Sequence, residues 1–364
     1  MLRVVYILGA GFSCPLGLPL MKDFYDKSRE LARNDESKYG YFAEVIGTIY
    51  GTHSAQNYFE YPRFNIEEAL SILEMRENLG GKVNRERYER YIIDVIKGCT
   101  PDIPPQDFHP NYAEWKTEIF GREENWNWYG HFFASLVGLK LRLEKGKETG
   151  EAKKSLGLER IRDRNVEYSI VTLNYDAIPE KVCDYINHYT SRLAGEDIRF
   201  IDGEDKQVTS DGKASLPYLV KIHGCVNKGK IIPPTYIKGL YQKEMPVSWK
   251  VAYALLMKAN EIRIVGYSLP SSDCYIKYLL KAAIGDSKQL DRIDIVCLNK
   301  GNENERYHQF ISFDKFEFAP KSTENYLGYL YQLRGVELTD ELITFDKLEK
   351  AHKEFMKNNR TSPS

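Results

Sequence analysis

The sequence predicts an α/β protein, a doubly wound parallel sheet of the Rossmann-like kind that carries a large helical insertion. Five short runs rich in Val, Ile and Leu predict the sheet: Val4–Leu8, Ser169–Leu173, Leu219–Ile222, Ile262–Val265 and Ile293–Leu298. Unbroken apolar runs of this length mark strands buried on both faces, as in a parallel sheet. Four of the five end directly in glycine or polar clusters: Gly9-Ala10-Gly11, Asn174-Tyr175-Asp176, His223-Gly224 and Gly266-Tyr267-Ser268. In an open α/β sheet, ligands bind beyond the carboxyl ends of the strands, so the unusual residues stand where a site belongs.

The first strand runs into Gly9-Ala10-Gly11-Phe12-Ser13 and then into a predicted helix. Glycines allow a tight turn and close approach to a phosphate, and a helix start offers free N–H groups. The turn lacks the third glycine of the full dinucleotide fingerprint, because position 14 is Cys, and no Gly-Lys-Ser/Thr follows to make a Walker loop. Between the first and second strands the texture changes. Phe64–Glu74, Tyr88–Ile96 and Trp128–Leu143 have helical periodicity, and Lys145–Lys154 is a charged, glycine-containing linker. Beyond Asn299, the pattern predicts a helix over Arg306–Ser312, an edge strand over Phe313–Phe318, an amphipathic helix over Thr339–Lys357 and a disordered tail from Asn358. The expected division is a sheet domain over 1–39 and 160–320, a helical insertion over 40–159, and a C-terminal helical segment and tail over 321–364.

Composition narrows the function classes. Lys and Arg number 51 against 52 Asp and Glu, a balance unsuited to a general or sequence-specific nucleic-acid binder. The six cysteines, Cys14, Cys99, Cys183, Cys225, Cys274 and Cys297, contain no C-x-x-C pair, which argues against a zinc site or a disulfide framework. The apolar start is too short for a signal segment, and no stretch has the length of a membrane span, so a soluble cytoplasmic protein is expected.

Taken together, Gly9-Ala10-Gly11-Phe12-Ser13, Thr172-Leu173-Asn174-Tyr175-Asp176, Lys221-Ile222-His223-Gly224 and Gly266-Tyr267-Ser268 resemble the sirtuin fold family. More narrowly, they look like its bacterial sirtuin-like branch of NAD-depleting anti-phage defence proteins. The resemblance covers roughly residues 1 to 30 and 165 to 300.

It implies that Gly9, Ala10, Gly11, Phe12 and Ser13 cradle the NAD diphosphate. Gly266, Tyr267 and Ser268 would lie near the adenosine phosphate and ribose, and Asn299 would touch the adenosine ribose. Asn174 would face the nicotinamide-side ribose, His223 would be the catalytic histidine, and Asp176 would hold the nicotinamide pocket. The implied activity is hydrolysis of NAD, as substrate, to nicotinamide and ADP-ribose, with no metal. The residue types suit it: loss of nicotinamide leaves an oxocarbenium-like ribose, a neutral carboxamide can orient hydroxyls or water, and a histidine can accept a proton. The missing zinc module puts acyl-lysine chemistry in doubt. A homo-oligomer and a separate activating partner, such as a ring-forming ATPase, are expected by analogy with defence systems.

Other readings stand beside these. ADP-ribosyl transfer would use the same bond cleavage, and a non-catalytic NAD or ADP-ribose sensor would need only the phosphate and adenosine blocks. A nuclease reading rests on the Glu204-Asp205-Lys206 triplet with Asp197, in a run that reads as a surface loop. Asp176 is either a pocket residue or a helix cap, and Asp273 reads as a cap for the helix that follows. Trp126-Asn127-Trp128-Tyr129 makes either an oligomer contact or internal packing. Asn65 is either only the cap of its helix, with the rest packed internally, or part of a lid over the nicotinamide side.

Overall fold

The computed structural model describes residues 1–52, 66–82, 84–103, 119–120, 123–145, 154–161, 164–192, 197–204, 216–232, 246–271, 273–312, 315–333, 342–345 and 347–361. Its strands in chain order are β1 (Leu2–Leu8), β2 (Leu139–Lys145), β3 (Lys154–Arg160), β4 (Val166–Thr172), β5 (Ser191–Arg192), β6 (Ile201–Asp202) and β7 (Tyr218–Lys221). They continue with β8 (Gly224–Cys225), β9 (Lys230–Ile231), β10 (Glu261–Val265), β11 (Arg292–Val296), β12 (Phe316–Ala319) and β13 (Leu342–Thr344).

Seven of these form one sheet in the order β12-β11-β10-β1-β4-β7-β6, with every neighbouring pair parallel. The fold is therefore the expected Rossmann-like α/β class. Alternation along β1 shows why both faces are apolar. Val4, Tyr6 and Leu8 join one core with helices Glu124–Val137, Ile178–Tyr189, Thr323–Gln332 and Leu348–Asn359. Val5 and Ile7 join the other, with Val247–Met257, Cys274–Asp286 and Glu303–Phe310. From β1 the chain steps to β4 and β7, whereas β10 continues to β11 and β12 on the other side. The loops leaving β1 and β10 thus part in opposite directions, which is where such sheets open a crevice.

Several expected elements change. The helix expected over Trp128–Leu143 stops at Val137, because Gly138 takes a left-handed cap at φ +70°. Leu139–Lys145 then pairs antiparallel with β3, and β13 and β5 complete a second sheet. The ends of the expected linker, Lys145 and Lys154, belong to these strands, while 146–153 lie outside the described residues. The expected helix Thr339–Lys357 is a strand at Leu342–Thr344 followed by a helix from Leu348. The tail is anchored as far as Thr361, whose N–H donates to the Phe318 carbonyl at 2.9 Å.

Helix Glu124–Val137, assigned by sequence to the insertion, packs on the main sheet: Phe132 meets Tyr6 edge-on at 5.2 Å and lies 5.6 Å from Phe12. Trp126 and Tyr129 on this helix are buried, which gives the internal-packing reading of that aromatic run. Under the sheet, Arg263 of β10 is fully buried and donates to both Glu349 oxygens, at 2.8 and 2.6 Å. Glu349 also accepts from Tyr168 at 2.6 Å, so an ion pair fastens the last helix to β10 and β4.

Candidate functional site

The glycine turn follows β1 as expected, but the helix after it is one turn long. Ala10–Ser13 passes into a tight turn at Cys14–Leu16, where Pro15 and a left-handed Gly17 at φ +92° end it. The next long helix starts at Phe24.

The glycines have a local reason. The Gly11 N–H donates to the Gly266 carbonyl at 2.8 Å, and the Gly9 N–H to that of Val265 at 3.0 Å. A Cβ on Gly9 or Gly11 would lie 2.6 or 2.8 Å from the Gly266 oxygen. Gly266 has φ +67°, and a Cβ there would come within 2.2 Å of the Phe12 nitrogen. Two strand-end turns, from β1 and β10, are therefore in backbone contact at the point where the strand order reverses.

Polar side chains gather beside this contact. The Asn174 carboxamide donates to the Gly9 carbonyl and to the Ser13 hydroxyl, both at 2.9 Å. The Ser13 hydroxyl in turn donates to Asp176 Oδ2 at 2.7 Å. The other Asp176 oxygen accepts from the Ile178 N–H at 3.1 Å, at the start of helix Ile178–Tyr189. Both readings of Asp176 hold at once: one oxygen caps, the other faces the glycine turn. Asn174, Ser13 and Asp176 are all buried. A buried, fully connected network of this kind is held rigid, because each broken bond would strand a desolvated group.

His223 follows β7, and its Nδ1 lies 3.1 Å from the Leu173 carbonyl, one residue before Asn174. Since a carbonyl can only accept, Nδ1 carries a proton in this contact. The rings of Tyr175 and Trp249 lie 6.0 and 6.3 Å away. Trp249 is tied to the Ile222 carbonyl at 2.9 Å, and Tyr175 to that of Ile232 at 2.7 Å. The histidine is therefore fixed by neighbours that are themselves fixed.

Lys221, at the end of β7, donates to the Asp176 carbonyl and pairs with Glu180 at 2.7 Å. Burial alone would pull its ammonium down, but the facing charge of Glu180 and the nearby Cys225 and Asp176 hold it above the ordinary lysine range. Tyr129 donates to the Phe12 carbonyl, and burial, helped by the charge of Asp176, pushes its phenol far up, so it stays a donor.

The remaining expected residues are spread around this centre. Tyr267 is buried, with its hydroxyl on Asp273 at 2.9 Å and its carbonyl accepting from Tyr307 at 2.8 Å. Asp273 stands at the cap position of the next helix but spends its carboxylate on Tyr267. Ser268 is half-buried. Asn299 is exposed and accepts from the Asn304 N–H at 3.1 Å, near the start of helix Glu303–Phe310. Glu204 pairs with Lys228 at 2.8 Å, whereas Asp205 and Lys206 lie outside the described residues, as does Asn65. Sequence reasoning missed Thr323, whose hydroxyl donates to the Gly11 carbonyl at 2.8 Å from the far end of the chain.

No protein-family model matches the chain, and no curated protein matches it. Among the described residues no helix is long and apolar enough to cross a membrane.

Proposed function

We propose that the chain is a sirtuin-like NAD glycohydrolase that cleaves the nicotinamide–ribose bond. The observation that carries this reading is the junction of Ser13, Asn174, Asp176 and His223 with the glycine contact between β1 and β10. Ser13 lies some 160 positions before Asn174 and Asp176, and His223 about 50 after them, yet they meet at the carboxyl ends of β1, β4 and β7, next to the reversal in strand order.

In this reading the Gly9–Ser13 turn and the Gly266–Ser268 turn hold the diphosphate and the adenosine side of NAD, with Asn299 at the adenosine ribose. Asn174 orients the nicotinamide ribose. The C1′–N bond breaks with its electron pair going to the pyridinium nitrogen, which leaves neutral nicotinamide and a cationic ribose. The buried Asp176 carboxylate supplies negative charge near that cation. A water adds to C1′ and its proton passes to His223 Nε2, giving ADP-ribose. NAD depletion in anti-phage defence, an oligomeric cytoplasmic enzyme and a separate activating partner complete the proposal.

The test is nicotinamide release from NAD by the purified protein, read beside NAD binding. We expect His223→Ala and Asn174→Ala to abolish release, with His223→Ala still binding NAD. Turnover unchanged in both folded variants would remove the catalytic assignment. A wild-type protein that binds no NAD would remove the whole reading.

A further inference from the structure

A groove of about 580 Å³ opens between helices Phe42–Thr52, Ile66–Asn78 and Arg85–Cys99, and it shares no residue with the strand-end site. Its size falls in the range of small-molecule sites, roughly 300–1,000 Å³.

Three cations line it, Arg76, Lys82 and Arg87, against one carboxylate, Glu44, which is already paired with Arg87. Arg76 and Lys82 have no ion-pair partner among the described residues. In a chain whose net charge is −1, this is a local surplus of positive charge.

The surplus is held in place by the backbone. Helix Ile66–Asn78 ends in Gly80 at φ +88°, and the Gly81 N–H returns to the Arg76 carbonyl at 2.8 Å. Asn84 then caps helix Arg85–Cys99 by accepting from the Arg87 N–H at 3.2 Å. The last turn of one helix, the connection and the first turn of the next therefore each present one cation to a single opening. A cation in the first turn of a helix opposes the helix dipole, so Arg87 is not placed there to stabilise its own helix.

The floor is apolar. Val45 and Leu73 are buried, and Leu79 at the rim is left 80% exposed. Tyr88 stands beside them, and burial raises its phenol above the ordinary range, so it remains a donor.

We propose that this groove is a second ligand site, separate from the proposed NAD site, that takes a nucleoside phosphate. The phosphate would sit on Arg76, Lys82 and Arg87, and the base on Val45, Leu73, Leu79 and Tyr88. Cations alone would attract any anion; the adjoining apolar floor and exposed leucine select one that carries a flat, poorly hydrated body.

The test is calorimetric titration of the full chain with AMP and, separately, with inorganic phosphate. AMP binds both the groove and, if the NAD reading holds, the strand-end site, so the comparison is between variants. We expect the double variant Arg76→Glu/Lys82→Glu to lose one equivalent of AMP, while His223→Ala keeps it. Leu79→Ser, on the exposed rim, removes apolar surface without adding charge and should weaken AMP by about tenfold while leaving inorganic phosphate unchanged. AMP isotherms that are the same in wild type and the double variant would overturn the site. Inorganic phosphate binding as tightly as AMP would overturn the nucleoside assignment. Loss of NAD binding with the AMP equivalent intact would strike only the proposed function, so the two failures are distinguishable.

Discussion

Acidification should unlock the last helix, and the size of the effect can be worked from Glu349. Burial alone would raise this carboxyl, but the charge of Arg263, its hydrogen bonds and that of Tyr168 outweigh burial and hold it at about 2, against an ordinary 4.5. The unfolded chain takes up a proton near 4.5, whereas the folded one keeps it off until about 2, so protons favour unfolding. The contribution is fully present above about pH 5 and is lost as pH falls through the folded value. The depression amounts to about 3 kcal/mol, because one pKa unit is about 1.4 kcal/mol. Urea titrations of wild type and Glu349→Gln at stepped pH between 7 and 3 read it directly. The variant should be less stable at pH 7, since it leaves the Arg263 guanidinium buried beside one carboxylate, Glu261, instead of two. Its stability should also fall less steeply with acid, so the two curves converge towards pH 3. Asp294, held low chiefly by its bond to His352 and then by Arg292, lowers both curves with acid as well, and because His352 also feels Glu349 the two curves are compared over the whole window. Parallel curves across the window would refute the assignment of that depression to the Arg263 pair.

Three further outcomes are expected. Gly266→Ala should cost about 2 kcal/mol or more in a thermal melt, because its Cβ meets the Phe12 nitrogen, whereas Gly229→Ala, at φ +65° with no described residue nearby, should cost about 1; equal losses would mean the glycine contact is not tight. Glu74→Met should stabilise by about 1–2 kcal/mol, since both carboxylate oxygens are buried with no hydrogen-bond partner among the described residues; a lower melting temperature would show that the carboxylate is supported after all. Thr323→Val should weaken NAD binding beyond the roughly 1 kcal/mol of one lost hydrogen bond, and Thr323→Ser should restore it; a melt that shifts while the NAD affinity does not would make Thr323 purely structural.

The central strands were legible because a parallel strand covered on both faces has no polar side to interrupt its apolar run. β6 was not, since two residues, Ile201 and Asp202, carry no pattern. β2 was misread because Leu139 and Leu141 continue the apolar texture of the preceding helix; the alternating Lys140 and Arg142, and the glycine before them, were the signals of a change in period. Arg263 and Asp294 lie inside buried strands, and nothing local foretells partners such as Glu349, 86 positions away, or His352, 58 away. The meeting of Ser13, Asn174 and Asp176 was foreseen only as a shared address at the strand ends. Which atom bonds which depends on the register of β1 against β4, where Leu8 pairs with Thr172.

The structure also changes what each residue of the expected site can argue for. Gly9, Gly11 and Gly266 are already required by the contact between two backbone turns, so their presence would be the same in a sheet that bound nothing. The side chains have no such excuse. A core needs neither a carboxamide, a hydroxyl and a carboxylate in series nor a histidine clamped one residue away, and burying them sets a desolvation cost that apolar residues would avoid. Elsewhere in the sheet buried polar groups pair across elements to fasten the last helix, Arg263 with Glu349 and Asp294 with His352, whereas this set lies at the strand ends. The proposed ligand site therefore rests on Asn174, Asp176, Ser13 and His223, and substitutions there, rather than at the glycines, test it.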